Sequence, residues 1–188
     1  MSHLLPYFKL PCDNLSQIQS EVLEYVYSID LVNTHKTQWN TVSTIDLLKH
    51  SPSVLKYCKS LGLAPQEASI VILDKDFPLH VDVPPVIAKV NFPLANCNKS
   101  NNYWIDIDQD ELKKLPTKTN VHGQQTPDFS NTTEDWLAKW KVHKLDVFDC
   151  PIVFNSAIPH GVDYNGREPR LMLSMTFVKD PVSYLCKD

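Results

Sequence analysis

The chain has 188 residues, of which 43% are hydrophobic and 21% charged. That length suits one domain and leaves little room for two, and the composition supplies a real core, which excludes a disordered chain. The net charge of −4, with a pI near 5.9, argues against a nucleic-acid binder, since neither a basic balance nor a basic stripe is present.

At the N-terminus, MSHLLPYFKLPCDN has no apolar run long enough for a signal peptide. Nowhere does the chain approach the roughly 18 apolar residues of a membrane-spanning helix. The expectation is a soluble, cytoplasmic protein. Asn14 or Ser16 caps a predicted helix to about Ser28, with Ile18, Val22, Leu23 and Val26 at helical spacing. A second helical stretch is predicted over residues 44–62. Ser51-Pro52 restarts it with proline in the first turn, and Gly62 ends it.

From Ala68 the texture changes. ASIVILD, VIAKVNFPL, NYWIDID, PIVFNSAI and PRLMLSMTFV read as strands, rich in Val, Ile and Phe and bounded by Pro, Asn and Asp. Between them lies a polar insertion, near residues 109–144. Within it a helix is predicted over 133–142, with Trp136, Leu137 and Trp140 on one face. The insertion either helps cover a site or is an ordinary surface excursion. Scarce glycine (4) and frequent proline (14) fit short strands and stiff loops. The expected class is α+β: helices in residues 1–67 packed outside a sandwich or jelly roll over 68–178, as one domain.

The five cysteines are scattered, odd in number and contain no C-x-x-C, which argues against a disulfide framework or a zinc ribbon. Two other segments carry chemistry: Pro78-Leu79-His80-Val81-Asp82 and Ile158-Pro159-His160-Gly161-Val162. In extended backbone, alternate residues point to one side, so His80 and Asp82 converge. His160 completes two histidines and a carboxylate, a set that leaves open coordination positions and suits non-heme Fe(II). His122 and His143 flank the insertion as weaker metal candidates, and His35 and His50 read as surface residues.

Asn165-Gly166 signals a two-residue hairpin. Folding there pairs Tyr164 with Arg167 and Gly161 with Arg170, which sets Arg170 beside His160. In the strand of Arg170, Leu171, Leu173, Met175 and Phe177 form one face, and Arg170, Met172, Ser174 and Thr176 the other. In residues 87–94, Ala88, Val90, Phe92 and Leu94 share one side, and Lys89 and Asn91 the other. An anionic co-substrate would satisfy these polar groups if that side faces a site; the alternative is that it faces water. Trp104 is expected in the core or lining the pocket, and Asn155, inside a strand pattern, is read as facing the site.

The pattern His-x-Asp, a distant His, then Arg ten residues on (170 − 160 = 10) resembles the Fe(II)/2-oxoglutarate-dependent dioxygenases. Within them it is most similar to the aspartyl/asparaginyl β-hydroxylase-like branch. The similar part is LHVDVPPVIAKVNFPLANC, the Trp of NYWIDI, and VFDCPIVFNSAIPHGVDYNGREPRLMLSMTF, roughly residues 79–107 and 146–177. The resemblance implies a double-stranded β-helix with Fe(II) on His80, Asp82 and His160. It implies 2-oxoglutarate anchored through Arg170, with Lys89 and Asn91 helping to bind it, and dioxygen as co-reactant. The substrate would be an amino acid, peptide side chain or other small molecule. The sequence departs from the branch at Asn91, where a histidine is usual, and at Asp82, where the best-known members lack a carboxylate. The hydroxyl common two residues after the arginine is Met172 here. The competing readings are a cupin-type metal enzyme without 2-oxoglutarate, and a jelly-roll binding module without catalysis.

Overall fold

The computed structural model describes residues 5–34, 38–82, 88–120 and 123–185. In chain order, the first part holds β1 (Tyr7–Lys9), α1 (Leu15–Ser28), α2 (Leu31–Thr34), β2 (Gln38–Val42), α3 (Thr44–His50) and α4 (Pro52–Ser60). Then come β3 (Pro65–Leu73), β4 (Phe77–His80), β5 (Ala88–Ala95), β6 (Ser100–Asp106), α5 (Gln109–Leu112), β7 (Thr117–Thr119), β8 (Gln125–Pro127) and α6 (Glu134–Leu137). Strands β9 (Lys141–Leu145), β10 (Ile152–Asn155), β11 (His160–Tyr164) and β12 (Arg170–Phe177) and helix α7 (Pro181–Leu185) complete it. The strands form a six-stranded sheet, β1-β10-β5-β12-β3-β2, a four-stranded sheet, β4-β11-β6-β9, and a two-stranded ribbon, β7-β8, with every ladder antiparallel. This is the expected α+β double-stranded β-helix. Among the described residues no helix is long and apolar enough to cross a membrane.

Side-chain alternation sorts the strands into layers. In β12, Leu171, Leu173, Met175 and Phe177 join Ala88, Val90, Phe92 and Leu94 of β5 in one apolar cluster with Ile18, Val22, Val26, Leu47 and Val54 of the helices. So α1, α3 and α4 cover the outer face of the large sheet. Each buried Val, Leu, Ile, Phe or Met side chain among them contributes on the order of 1.5–3 kcal/mol. The opposite face turns inward. There Val71, Leu73, Trp104, Ile152, Phe154, Val162 and Met172 form a second cluster between the two sheets. Helix α4 begins with Pro52, and the Glu21 carboxylate of α1 accepts hydrogen bonds from the Ser53 amide (2.9 Å) and hydroxyl (2.8 Å), which ties the two helices together.

Three expectations are corrected. Residues 1–67 are not only helical: β1 and β2 add the two edge strands of the large sheet. The helix predicted over 133–142 spans only Glu134–Leu137, capped by the Thr133 hydroxyl, and the chain then enters β9 on the edge of the small sheet. Trp136, Leu137 and Trp140 still share an apolar cluster, which misled the helical reading; they pack with Ile105, Ile107, Leu79 and Val81 on the outer face of the small sheet.

The third correction concerns Asn165-Gly166. Strand β11 pairs with β4 and β6, whereas β12 pairs with β3 and β5. The segment is a crossover between facing sheets and not a hairpin. Neither residue has the positive φ that a type I′ turn requires. Asn165 instead donates its amide to the Lys99 carbonyl at 2.8 Å, extending the contact of β11 with β6.

Candidate active site

The inward faces of the two sheets enclose a narrow pocket lined by Trp39, Phe77, His80, Asp82, Lys89, Asn91, Asn102, Phe154, His160, Val162, Arg170 and Met172, among others. Each metal-type ligand is placed by strand geometry. His80 ends β4 and lies directly opposite His160 at the start of β11, with ring centroids 4.2 Å apart. Leu79 and Val81 pack outward under the insertion, so His80 and Asp82 face inward. The Asp82 amide donates to the Ser156 carbonyl at 3.1 Å, which fixes the backbone just past the strand. Behind His160, Gly161 admits the Tyr103 ring; a Cβ there would collide with the Tyr103 hydroxyl.

The ligand atoms of His80, Asp82 and His160 all lie within 4.8 Å of one another, the one such group found among the described residues. Ligands about 2.1 Å from a common ion lie at most about 4.2 Å apart, so each side chain needs to move by about 1 Å or less to hold one. The imidazoles are pre-oriented. His80 Nδ1 lies 2.9 Å from the Pro78 carbonyl and His160 Nδ1 2.8 Å from the Ile158 carbonyl. A carbonyl only accepts, so each Nδ1 carries the proton and each Nε2 presents a lone pair, the arrangement of a metal-binding histidine.

Electrostatics keeps the set in its ligating state. Burial lowers the His80 imidazole below its ordinary pKa, and burial together with neighbouring His80 pushes His160 down to about 3. Burial, the largest single influence, would raise the Asp82 carboxyl, but the Lys89 ammonium and the neighbouring His160 and His80 together outweigh it and hold Asp82 below the usual carboxylate range. Lys89 Nζ lies 2.6 Å from Asp82 Oδ2 and 5.2 Å from the Trp39 ring centroid. Lys89 thus sits at the metal-ligand end of the pocket, engaged by a ligand carboxylate.

Arg170 occupies the other end and is 1% exposed. Nη1 donates to the Ser100 hydroxyl at 3.0 Å, and Nη2 to Asn102 Oδ1 at 3.1 Å and Met172 Sδ at 3.3 Å. The guanidinium also stacks over Phe148 at 5.3 Å. Its Nε has no partner, and no carboxylate among the described residues pairs with it. Burial lowers its pKa, but an arginine stays charged in a protein. Asn102 Nδ2 and Asn91 Oδ1, both buried and lining the pocket, likewise have no partner. A buried cation without an anion is costly, so this end of the pocket is built for an anionic ligand.

The hairpin is absent, yet Arg170 and His160 line one pocket because the two sheets face each other. Arg167 is exposed, beside Asn96, Lys99 and Glu168 on the surface. Ser174 is buried against Asn91 and Ser69 but is not part of the lining. Trp104 is core, stacked on Tyr7 and tilted against Phe154. Asn155 does not line the pocket; its Oδ1 accepts from the Ala157 amide. His143 pairs with Asp106 at 2.8 Å on the small sheet, apart from any metal-type group among the described residues. His35, His122 and Cys186 lie outside the described residues. The sequence reading missed Ser100 and Asn102, which hold the guanidinium. Their signal was the alternation Ser100, Asn102, Trp104 on the inward face of β6, with Tyr103 and Ile105 outward.

No protein-family model and no curated protein matches the sequence. Solved structures share the fold. The non-heme alpha-ketoglutarate-dependent carbocyclase SnoK from nogalamycin biosynthesis matches with a TM-score of 0.59 at 9% identity, over 93% of this chain and 80% of that one. The non-heme alpha-ketoglutarate-dependent epimerase SnoN from the same biosynthesis matches with 0.54 at 12% identity, over 90% and 77%. HygX from Streptomyces hygroscopicus, solved with nickel and 2-oxoglutarate bound, matches with 0.50 at 12% identity, over 92% and 82%. The chain therefore has the double-stranded β-helix fold of these proteins.

Proposed function

We propose that this protein is an Fe(II)- and 2-oxoglutarate-dependent dioxygenase that hydroxylates an amino acid or peptide side chain. The observation that carries the reading is Arg170: a buried guanidinium without an anionic partner among the described residues, in the same pocket as a two-histidine, one-carboxylate set. A metal-only cupin site needs no such cation, and a passive jelly roll needs neither feature. HygX, which shares the fold, was solved with both nickel and 2-oxoglutarate, which supports the pairing.

His80 and His160 would give Nε2, and Asp82 one oxygen, to the iron. Arg170 would take the distal carboxylate of 2-oxoglutarate in a charge-assisted pair, using the free Nε, with Asn102 Nδ2 and Asn91 Oδ1 as further polar contacts. When bound, iron and 2-oxoglutarate supply the oxidising power, dioxygen being consumed and the co-substrate leaving as succinate and carbon dioxide. The chain's own work is to hold ligands and co-substrate in register and to keep water from the inner pocket through Phe154, Val162, Met172 and Leu73. The likeness of residues 79–107 and 146–177 to the aspartyl/asparaginyl β-hydroxylase-like branch supports side-chain hydroxylation as the outcome.

The test is succinate formation by the iron-loaded protein against a panel of amino acids, peptides and nucleosides. Succinate that depends on both iron and one panel member, with that member gaining one oxygen atom, is the expected result. Metal binding without any binding of 2-oxoglutarate would move the cupin reading ahead. Absence of metal binding would leave the binding module.

A further inference from the structure

We propose that Lys89 is a positioning residue that holds Asp82 as a one-oxygen metal ligand and so keeps a coordination position free for the co-substrate. This rests on the metal reading above. The two oxygens of Asp82 are in different hands. Oδ2 is 2.6 Å from Lys89 Nζ, while Oδ1 faces the histidines, 3.8 Å from His80 Nε2.

The ammonium is itself held on two sides. The carboxylate takes one, and the face of Trp39, 5.2 Å away, takes the other. Its backbone lies in the middle of the large sheet, Lys89 opposite Phe154, so the strand cannot shift to follow Asp82. Asp82 leaves the pocket wall just past β4, pinned by its amide to Ser156. Both backbones are thus held, and the 2.6 Å contact fixes the two side chains against each other.

Coordination arithmetic gives this contact a purpose. A carboxylate can bind an ion through one oxygen or through both. With one oxygen, the three protein ligands leave three positions open. With both, Asp82 takes a position that a two-atom chelating co-substrate needs. A 2.6 Å bond from an ammonium held between Asp82 and the Trp39 ring occupies the second oxygen and removes that option. It also balances the Asp82 charge, so the anion-binding force is left to Arg170. A direct salt link from Lys89 to the co-substrate would have to compete with this contact.

The experiment uses the full chain loaded with Co(II), as wild type, Lys89→Met and Lys89→Arg, with His160→Ala alongside. The visible absorption of Co(II) reports its coordination number before any 2-oxoglutarate is added, and a titration then gives co-substrate affinity. In Lys89→Met the metal should still bind, its spectrum should differ from wild type without co-substrate, and 2-oxoglutarate affinity should fall by roughly tenfold or more, the scale on which loss of a metal ligand's supporting partner lowers metal affinity or activity. Lys89→Arg should restore the wild-type spectrum. Lys89→Gln, a donor without charge, should behave as Met and serves if Met disturbs folding. A wild-type spectrum in Lys89→Met and Lys89→Gln overturns the inference, and if affinity falls all the same, Lys89 touches the co-substrate directly. Loss of Co(II) from those variants also overturns it. Co(II) binding that survives His160→Ala would instead sink the metal reading on which it stands.

Discussion

The two ends of the pocket are built on different plans. The metal-type ligands belong to the small sheet: His80 ends β4, Asp82 lies two residues beyond it and His160 starts β11. The anion end spans both sheets, with Arg170 from β12 of the large sheet bonded to Ser100 and Asn102 from β6 of the small one. The metal end is also compensated, the Asp82 charge meeting Lys89 at 2.6 Å, while the guanidinium meets only neutral partners among the described residues. One ladder of the small sheet, β4 against β11, assembles the two histidines with Asp82 beside them, whereas Arg170 reaches the same pocket from the facing sheet. The first plan depends on strand pairing within one sheet and the second on how the two sheets stack.

The largest expected effect breaks the metal end alone. His160→Ala removes a buried ligand whose Nε2 is pre-oriented by the Ile158 carbonyl. Metal affinity, measured by calorimetry with Ni(II) or Co(II), should fall by more than about a hundredfold, beyond the range of supporting contacts, and turnover should vanish. Circular dichroism should stay close to wild type, because the sheets are held by the apolar clusters on either side of the large sheet. A variant that keeps its metal would mean that the three side chains do not act as a set.

Next in size is the anion end. Arg170→Ala should weaken 2-oxoglutarate binding by roughly 10- to 150-fold, the equivalent of about 1.5–3 kcal/mol for charge-assisted bonds, with metal affinity nearly unchanged. Arg170→Met separates function from stability. It should lose the co-substrate equally, yet melt at the wild-type temperature or above, since replacing an unpaired buried charge by an apolar side chain of similar length is often neutral or stabilising. Arg167→Ala, at an exposed position, should change neither. The readout is the metal-to-ligand absorption band under nitrogen. A loss with Arg167→Ala and none with Arg170→Ala would reverse the assignment.

The same contrast explains what could be read from sequence. His-x-Asp is a local pattern, and its convergence follows from strand pleat alone, so His80 and Asp82 were visible. The inward faces of β5 and β12 were visible too, because Lys89 and Asn91, or Arg170 and Met172, interrupt apolar alternation at fixed period. Sheet partnership was not. The Asn165-Gly166 pair reads as a hairpin, and only the competing pairings of β11 with β4 and β6 show that the chain crosses instead. Strand β2 was hidden because Gln38 and Asn40 dilute its strand character; its pairing with β3 is set by tertiary context. Ser100 and Asn102 lack any motif, since their role exists only once β12 faces them.

A third effect again sets the compensated end apart. His160 is held neutral by burial, with its pKa pushed down to about 3, whereas in the unfolded chain it has the ordinary value near 6.5. The unfolded state therefore binds the extra proton between those values. Stability of the metal-free protein is full above about pH 6.5 and is lost as pH falls toward 3. At pH 5 the loss from His160 alone is about 2 kcal/mol. Chemical denaturation of chelator-treated protein at pH 7.5 and pH 5 should show it, and His160→Gln, which cannot titrate, should reduce the difference, with His80, also lowered by burial, contributing the rest. An equal acid loss in His160→Gln would place the proton elsewhere.

The smallest effect tests whether the anion end really depends on the facing sheet. Ser100 accepts a 3.0 Å hydrogen bond from Arg170 Nη1 and is itself buried, and its own hydroxyl donates to the Cys97 carbonyl at 3.3 Å. Ser100→Ala takes nothing from the metal ligands and leaves the guanidinium charge in place. It removes one of the partners that aim Arg170 across the gap between the sheets. A hydrogen bond of this kind contributes about 0.5–1.5 kcal/mol net, so 2-oxoglutarate affinity should fall by roughly 2- to 12-fold. Metal affinity should be unaffected. In Arg170→Ala the same serine change should cost almost nothing further in affinity, because the two residues act as one unit. Ser100→Ala that weakens binding as much in the Arg170→Ala background as in wild type would mean that the serine meets the co-substrate on its own, and the anion end would then belong to the small sheet as the metal end does.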